Sequence, residues 1–150
     1  MKILFVCHRN DTVSPLAAGI LKEKLRKKKV EAVVDSAGFE PHILGEPPDP
    51  QAVSYAKEKG IDISDHVIRL FSSRDFDEFD KIFVTDYRTF KDVVFHARDA
   101  DDKKKVDYLM NVILPGSNRA VPHPHNLSLL DFDTTYKLIN RACEKLANMM

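Results

Sequence analysis

Cysteine is scarce in this chain: two in 150 residues, Cys7 and Cys143, far apart. Two thiols give no disulfide framework, and a single thiol at a strand end suits a reducing compartment. An excess of one charge is also missing. The 23 Lys and Arg balance 23 Asp and Glu, for a formal net charge of +0. No global field then steers a nucleic acid or an anionic membrane, and neither is expected as a partner. Long hydrophobic runs are absent. The opening run, Ile3 to Cys7, is five residues long, too short for a signal peptide or a membrane span. No internal repeat or low-complexity stretch occurs. The expectation is a single cytoplasmic domain over residues 1–150, large enough to fold on its apolar core without a disulfide or a metal.

What the chain does have is alternation. "KILFVC" (2–7) reads as a buried strand from its unbroken apolar run. Leu16, Ile20, Leu21 and Leu25 then recur at helical spacing, with Ser14 suited to the N-cap and Pro15 to the first helical position. "VEAVVDSAG" (30–38) reads as a second strand, "EPHILGEPPDP" (40–50) as a proline-rich loop and "PQAVSYAKEKG" (50–60) as a helix stopped by Gly60. "FDKIFVTD" (79–86) is a third strand, followed by a helix near 88–97. "DDKKKVDYLM" (101–110) ends in a short fourth strand. A loop with three prolines over 112–126 leads to a last helix over 129–149. The basic run "KEKLRKKK" (22–29) fits the solvated C-terminal end of a helix, where cations complement the dipole. The βαβαβαβα order predicts an α/β fold: three layers, a four-stranded parallel sheet with helices on both faces.

In such sheets ligands bind at the carboxyl ends of the strands. Cys7 stands at the carboxyl end of the first. The loop after it, His8, Arg9, Asn10, Asp11, Thr12, Val13 and Ser14, runs into a helix N-terminus. Backbone N–H groups and the helix dipole favour an anion there. The residue pattern alone leaves a second reading open, in which Cys7 is a small buried hydrophobe.

The quoted segments resemble one family along nearly the whole chain. "ILFVCHRN" with "SP", "DSAG" (35–38), "GEPPDPQAV" (45–53), "GIDISDH" (60–66), "DFDEFDKIFVTD" (75–86) and "DFDTTYKLINRACEKL" (131–146) are similar to the landmarks of the low-molecular-weight protein tyrosine phosphatases. The resemblance implies that family's fold and chemistry. A thiolate attacks phosphorus, and water hydrolyses the cysteinyl-phosphate. An arginine six residues after the cysteine grips two phosphate oxygens. The serine after it hydrogen-bonds the thiolate. An aspartic acid in a late Asp-Pro pair serves as acid and then base. No cofactor is implied.

By this resemblance Cys7, Asn10 and Ser14 are in place, but Val13 stands where the arginine belongs. Arg9 replaces a loop glycine, and Gln51 stands where an arginine usually follows Asp-Pro. "VPHPH" (121–125) puts His123 at the aspartate position and His125 at an aromatic one, while His42 replaces a pocket aromatic. Losing a bidentate pair costs about 3–6 kcal/mol. Losing a general acid costs about 10²–10⁴ in rate. The expectation is therefore a phosphatase-like protein with little or no phosphatase activity, binding phosphate or another oxyanion, or a phosphoprotein or other protein partner. Two alternatives remain beside it. One is an active phosphomonoester hydrolase with Cys7 as nucleophile, Arg9 as electrostatic support and His123 as acid and base. The other is a metal site formed by Cys7 with His8, His42, His123 and His125. Arsenate reduction is disfavoured, since it needs the same arginine and extra resolving cysteines. Cys143 falls among the apolar positions of the last helix and reads as a packing residue. His66 and His96 receive no role.

Overall fold

The computed structural model of the chain describes residues 1–124 and 129–150. Four strands form one parallel sheet: β1 (Lys2–Val6), β2 (Val33–Ala37), β3 (Lys81–Val84) and β4 (Val106–Tyr108), in the order β2-β1-β3-β4. β1 is flanked on both sides, with Ile3 paired to Val34 and Lys81 and Val6 paired to Ala37 and Val84. Successive side chains of a strand leave opposite faces. Ile3 and Phe5 therefore enter one apolar layer, with Leu16 and Leu21 of α1 (Val13–Lys28), Ala52 and Tyr55 of α2 (Pro50–Glu58), and Ile139 and Leu146 of α6 (Leu129–Asn148). Leu4 and Val6 enter the other, with Phe71, Phe76, Phe79 and Val93, the last on α4 (Tyr87–Phe95). Both faces of β1 are covered, which explains its unbroken apolar run. The three-layer α/β architecture is as the sequence suggested.

Cys143 is fully buried on α6, with its Sγ 3.6 Å from the carbonyl oxygen of Ala17. Burial pushes its thiol up to about 12, consistent with packing rather than redox exchange. The basic run ends α1 as expected. Arg26, Lys27 and Lys28 fill the last turn, Lys29 adopts a left-handed φ of 58°, and the Val30 N–H returns to the Leu25 carbonyl at 3.0 Å. That return delays β2 to Val33, three residues later than the pattern suggested. Residues 79–80 likewise belong to the turn after α3 (Asp75–Glu78), so β3 is shorter than 79–86.

Two short helices escaped the sequence reading, α3 and α5 (Ala100–Lys104), because neither completes enough turns to show a period. The N-cap assignment changes as well. Helix α1 starts at Val13 with Thr12 before it, and no side chain caps it. Ser14 lies inside the helix because its hydroxyl is engaged elsewhere. Among the described residues no helix is long and apolar enough to cross a membrane.

Candidate functional site

Cys7 follows the last residue of β1, and its N–H still reaches the Ala37 carbonyl of β2 at 3.3 Å. The sheet thus fixes the start of the loop, and α1 fixes its end. Between them the chain turns back on Asn10, whose φ of 58° places a non-glycine residue in the left-handed region. Asparagine tolerates this better than most residues. Here its side chain also anchors the loop. Asn10 Nδ2 donates to Ser14 Oγ and to Ser36 Oγ, each at 2.9 Å. Its Oδ1 accepts from His66 Nε2 at 2.9 Å and from the Arg69 N–H at 3.2 Å. Both amide hydrogens and both carbonyl lone pairs are used, and the residue is fully buried. The orientation assigns the proton of His66 to Nε2. Burial holds the His66 imidazole below its ordinary pKa, against the pull of Asp35, so the neutral form is favoured.

Ser14 accepts from Asn10 and lies 2.9 Å from Cys7 Sγ. The Asn10 N–H donates to the same sulfur at 3.2 Å. These donors favour a thiolate, yet burial outweighs them and raises the Cys7 pKa above its ordinary value. The Asp11 carboxylate pushes in the same direction. Burial thus favours the neutral thiol, and Cys7 is only 8% exposed.

The remaining expected site residues are placed as follows. Val13 is 3% exposed and belongs to the apolar layer with Leu16 and Ile20. Arg9 is half-exposed and turns to its own loop, with Nε donating to Asp11 Oδ2 at 3.0 Å. His8 Nε2 lies 3.5 Å from Glu40 Oε2, while its Nδ1 is buried with no hydrogen-bond partner. Thr12 is buried at the N-cap position of α1. His42 is exposed, 3.9 Å from the other oxygen of Glu40. His123 is also exposed, in a segment tied to the carboxyl end of β3 by the Val121 N–H on the Thr85 carbonyl at 2.7 Å. That is the sheet edge where Cys7 lies, since the Thr85 N–H donates to the Val6 carbonyl at 3.2 Å. His125 lies outside the described residues. Among the described residues no three His, Cys, Asp or Glu side chains converge to hold a metal ion.

Four residues of the loop's support were not singled out from sequence: Ser36, Gly38, His66 and Arg69. For Ser36, Gly38 and His66 the signal was the "DSAG" and "GIDISDH" segments, which were used for resemblance and not for chemistry; Arg69 lies in neither segment and no sequence signal marked it. Arg69 clamps its segment with Nε on Asp35 at 3.0 Å and a bidentate grip on Asp75 at 3.0 and 3.2 Å. Gly38 lies directly beneath the loop. A Cβ there would come within 2.8 Å of the His8 carbonyl oxygen and 2.8 Å of Asn10 Cβ. Gly38→Ala is therefore expected to cost about 1–3 kcal/mol in urea unfolding, because backbone has to move. An unchanged midpoint would show that the loop shifts freely.

A thiol at the carboxyl end of a central parallel strand, under a loop closed onto a helix N-terminus, defines a single-cysteine oxyanion-loop site on an α/β scaffold. Comparison with known proteins names the class more closely. The family model described as "Low molecular weight phosphotyrosine protein phosphatase" matches residues 2–150, and the chain belongs to that family. It is 31% identical over 146 residues to low molecular weight phosphotyrosine protein phosphatase 1 of Drosophila melanogaster, covering 95% of this chain and 92% of that protein. A Drosophila arginine phosphatase superposes with a TM-score of 0.89 at 27% identity, over 99% of this chain and 97% of the other. A protein tyrosine phosphatase from Entamoeba histolytica, crystallised with Hepes in its active site, superposes at 0.88 with 26% identity, over 97% and 94%.

Proposed function

We propose that this protein is a low-molecular-weight phosphatase in scaffold that retains an oxyanion loop but has little or no phosphomonoester hydrolase activity. It serves instead to bind an oxyanion or a phosphoprotein at the Cys7 loop. The observation that carries the reading is the state of the thiol. Cys7 is buried, raised in pKa and bordered by the Asp11 carboxylate. The family's guanidinium position is taken by Val13, packed into the apolar layer, and the nearby Arg9 is engaged by Asp11.

A neutral thiol is a poor nucleophile. A loop without a facing cation lacks the group that would stabilise the charge of a transferring phosphoryl. The scaffold argues against simple decay, because the full hydrogen-bond set of Asn10 persists around the loop. Relatives named for phosphotyrosine and phosphoarginine chemistry support a phosphorylated ligand class.

The test is hydrolysis of p-nitrophenyl phosphate by metal-free protein beside Cys7→Ser prepared identically. Equal, background-level rates are expected. Turnover in the wild type that is lost in Cys7→Ser would overturn the proposal and favour rebuilt chemistry with Arg9 and His123.

A further inference from the structure

The opposite edge of the sheet holds a second cavity. It has a volume of about 290 Å³ and lies at the amino ends of the strands. Ile3 of β1 and Phe83 of β3 line its sheet side, and Leu146 of α6 and Met149, just past the end of that helix, line the other. Ile3 lies in β1 and Cys7 just past its end, four residues on and roughly 13 Å away at the rise of an extended chain, so the cavity is separate from the loop. Met149 is 66% exposed although it borders this apolar lining, and thioether side chains adapt readily to ligand shape.

The rim is charged. Lys81 and Lys145 both line the cavity. Among the described residues neither has a carboxylate within ion-pair reach. Asp107 also lines the cavity and keeps its negative charge, although its Oδ1 accepts from the Tyr108 N–H at 2.8 Å and from Asn111 Nδ2 at 2.7 Å, so the two lysines outnumber one carboxylate there. An apolar cleft with two uncommitted ammonium groups at its mouth matches one ligand chemistry, an apolar body carrying a single anionic head. At ~30 Å³ per water-sized group, the volume accommodates roughly ten heavy atoms. We propose that this cleft binds a small amphipathic carboxylate, an aryl or medium-chain acyl monoanion, with its apolar body on Ile3, Phe83 and Leu146 and its head between Lys81 and Lys145.

Octanoate is a suitable probe, titrated into the ¹⁵N-labelled full chain and followed by NMR and calorimetry. Saturable amide shifts are expected at residues around 3, 83 and 146, with residues 7–14 unmoved and the same affinity in Cys7→Ser. Octanol, which keeps the body and lacks the charge, is expected to bind more weakly. Lys81→Glu with Lys145→Glu should weaken octanoate at least about tenfold. Both lysines are exposed, so these changes leave the fold intact. Lys81→Gln with Lys145→Gln gives the same test without adding negative charge. Three results would each overturn the proposal: no saturable shift up to about 5 mM octanoate, binding indifferent to both lysine pairs, or shifts centred on residues 7–14.

Discussion

Val13→Arg combined with His123→Asp is expected to raise kcat/KM for p-nitrophenyl phosphate by at least about a hundredfold, and Cys7→Ser in that background to abolish the gain. A bidentate guanidinium contributes about 3–6 kcal/mol toward a phosphoryl group, and a placed general acid about 10²–10⁴ in rate. Either alone reaches the hundredfold mark. Val13 is the first residue of α1 and follows the loop directly. A guanidinium left in the apolar layer would be an unpaired buried charge, costly by several kcal/mol. The polar loop that Val13 directly follows is the alternative to that layer, so the new side chain is expected to turn toward it.

The thiol provides a second readout of the same variant. In the wild type, burial raises the Cys7 pKa above that of an ordinary thiol. Each pH unit below that pKa lowers the thiolate fraction about tenfold. Alkylation by iodoacetamide should therefore be slower at neutral pH than for an exposed thiol, and climb at higher pH than an exposed thiol does. A guanidinium facing Sγ favours the thiolate, so the alkylation profile of the double variant should move to lower pH. A shifted profile without turnover would assign the deficit to acid catalysis. No shift and no gain would mean that the loop's shape, and not its missing cation, limits the site.

The second large effect is expected at Asn10. Asn10→Ala should destabilise the protein by about 3–5 kcal/mol, a fall in Tm on the order of 10 °C for a chain of this length. Four hydrogen bonds disappear together. Partners left buried without water each cost about 1–3 kcal/mol, although relaxation around a small cavity returns part of this. Alanine at a φ of 58° adds about 1–2 kcal/mol of backbone strain. Asn10→Gly separates the two contributions, because glycine accepts that φ without strain and restores none of the hydrogen bonds. Urea unfolding of the three proteins measures this directly. A loss below about 1 kcal/mol in Asn10→Ala would show that the network is replaced by water and does not hold the loop.

The distribution of these effects follows from what local sequence can encode. The unbroken run Ile3–Val6, the helical spacing of Leu16, Ile20, Leu21 and Leu25, and the basic C-terminal end of α1 are local patterns. They were legible without coordinates because burial on two sheet faces, or on one helix face, writes itself into residue spacing. So was the position of Cys7 at the end of a strand, and so were the residues standing at Val13 and His123 once the family resemblance was drawn.

The chain could not announce by itself which distant residues meet at the loop. Asn10 bonds Ser36, His66 and Arg69 across 26, 56 and 59 residues, separations at which no periodicity links the partners. His66, given no role from sequence, became a direct partner of the loop. Ser14, read as a helix cap from the local pattern and as the thiol's partner from the resemblance, takes only the second role. Only tertiary structure decided that Val13 faces the core, that Arg9 is taken up by Asp11, and that burial raises the pKa of Cys7. Each of these outcomes is set by burial and by charge at close range, which depend on what the fold brings near and not on what lies next in the chain.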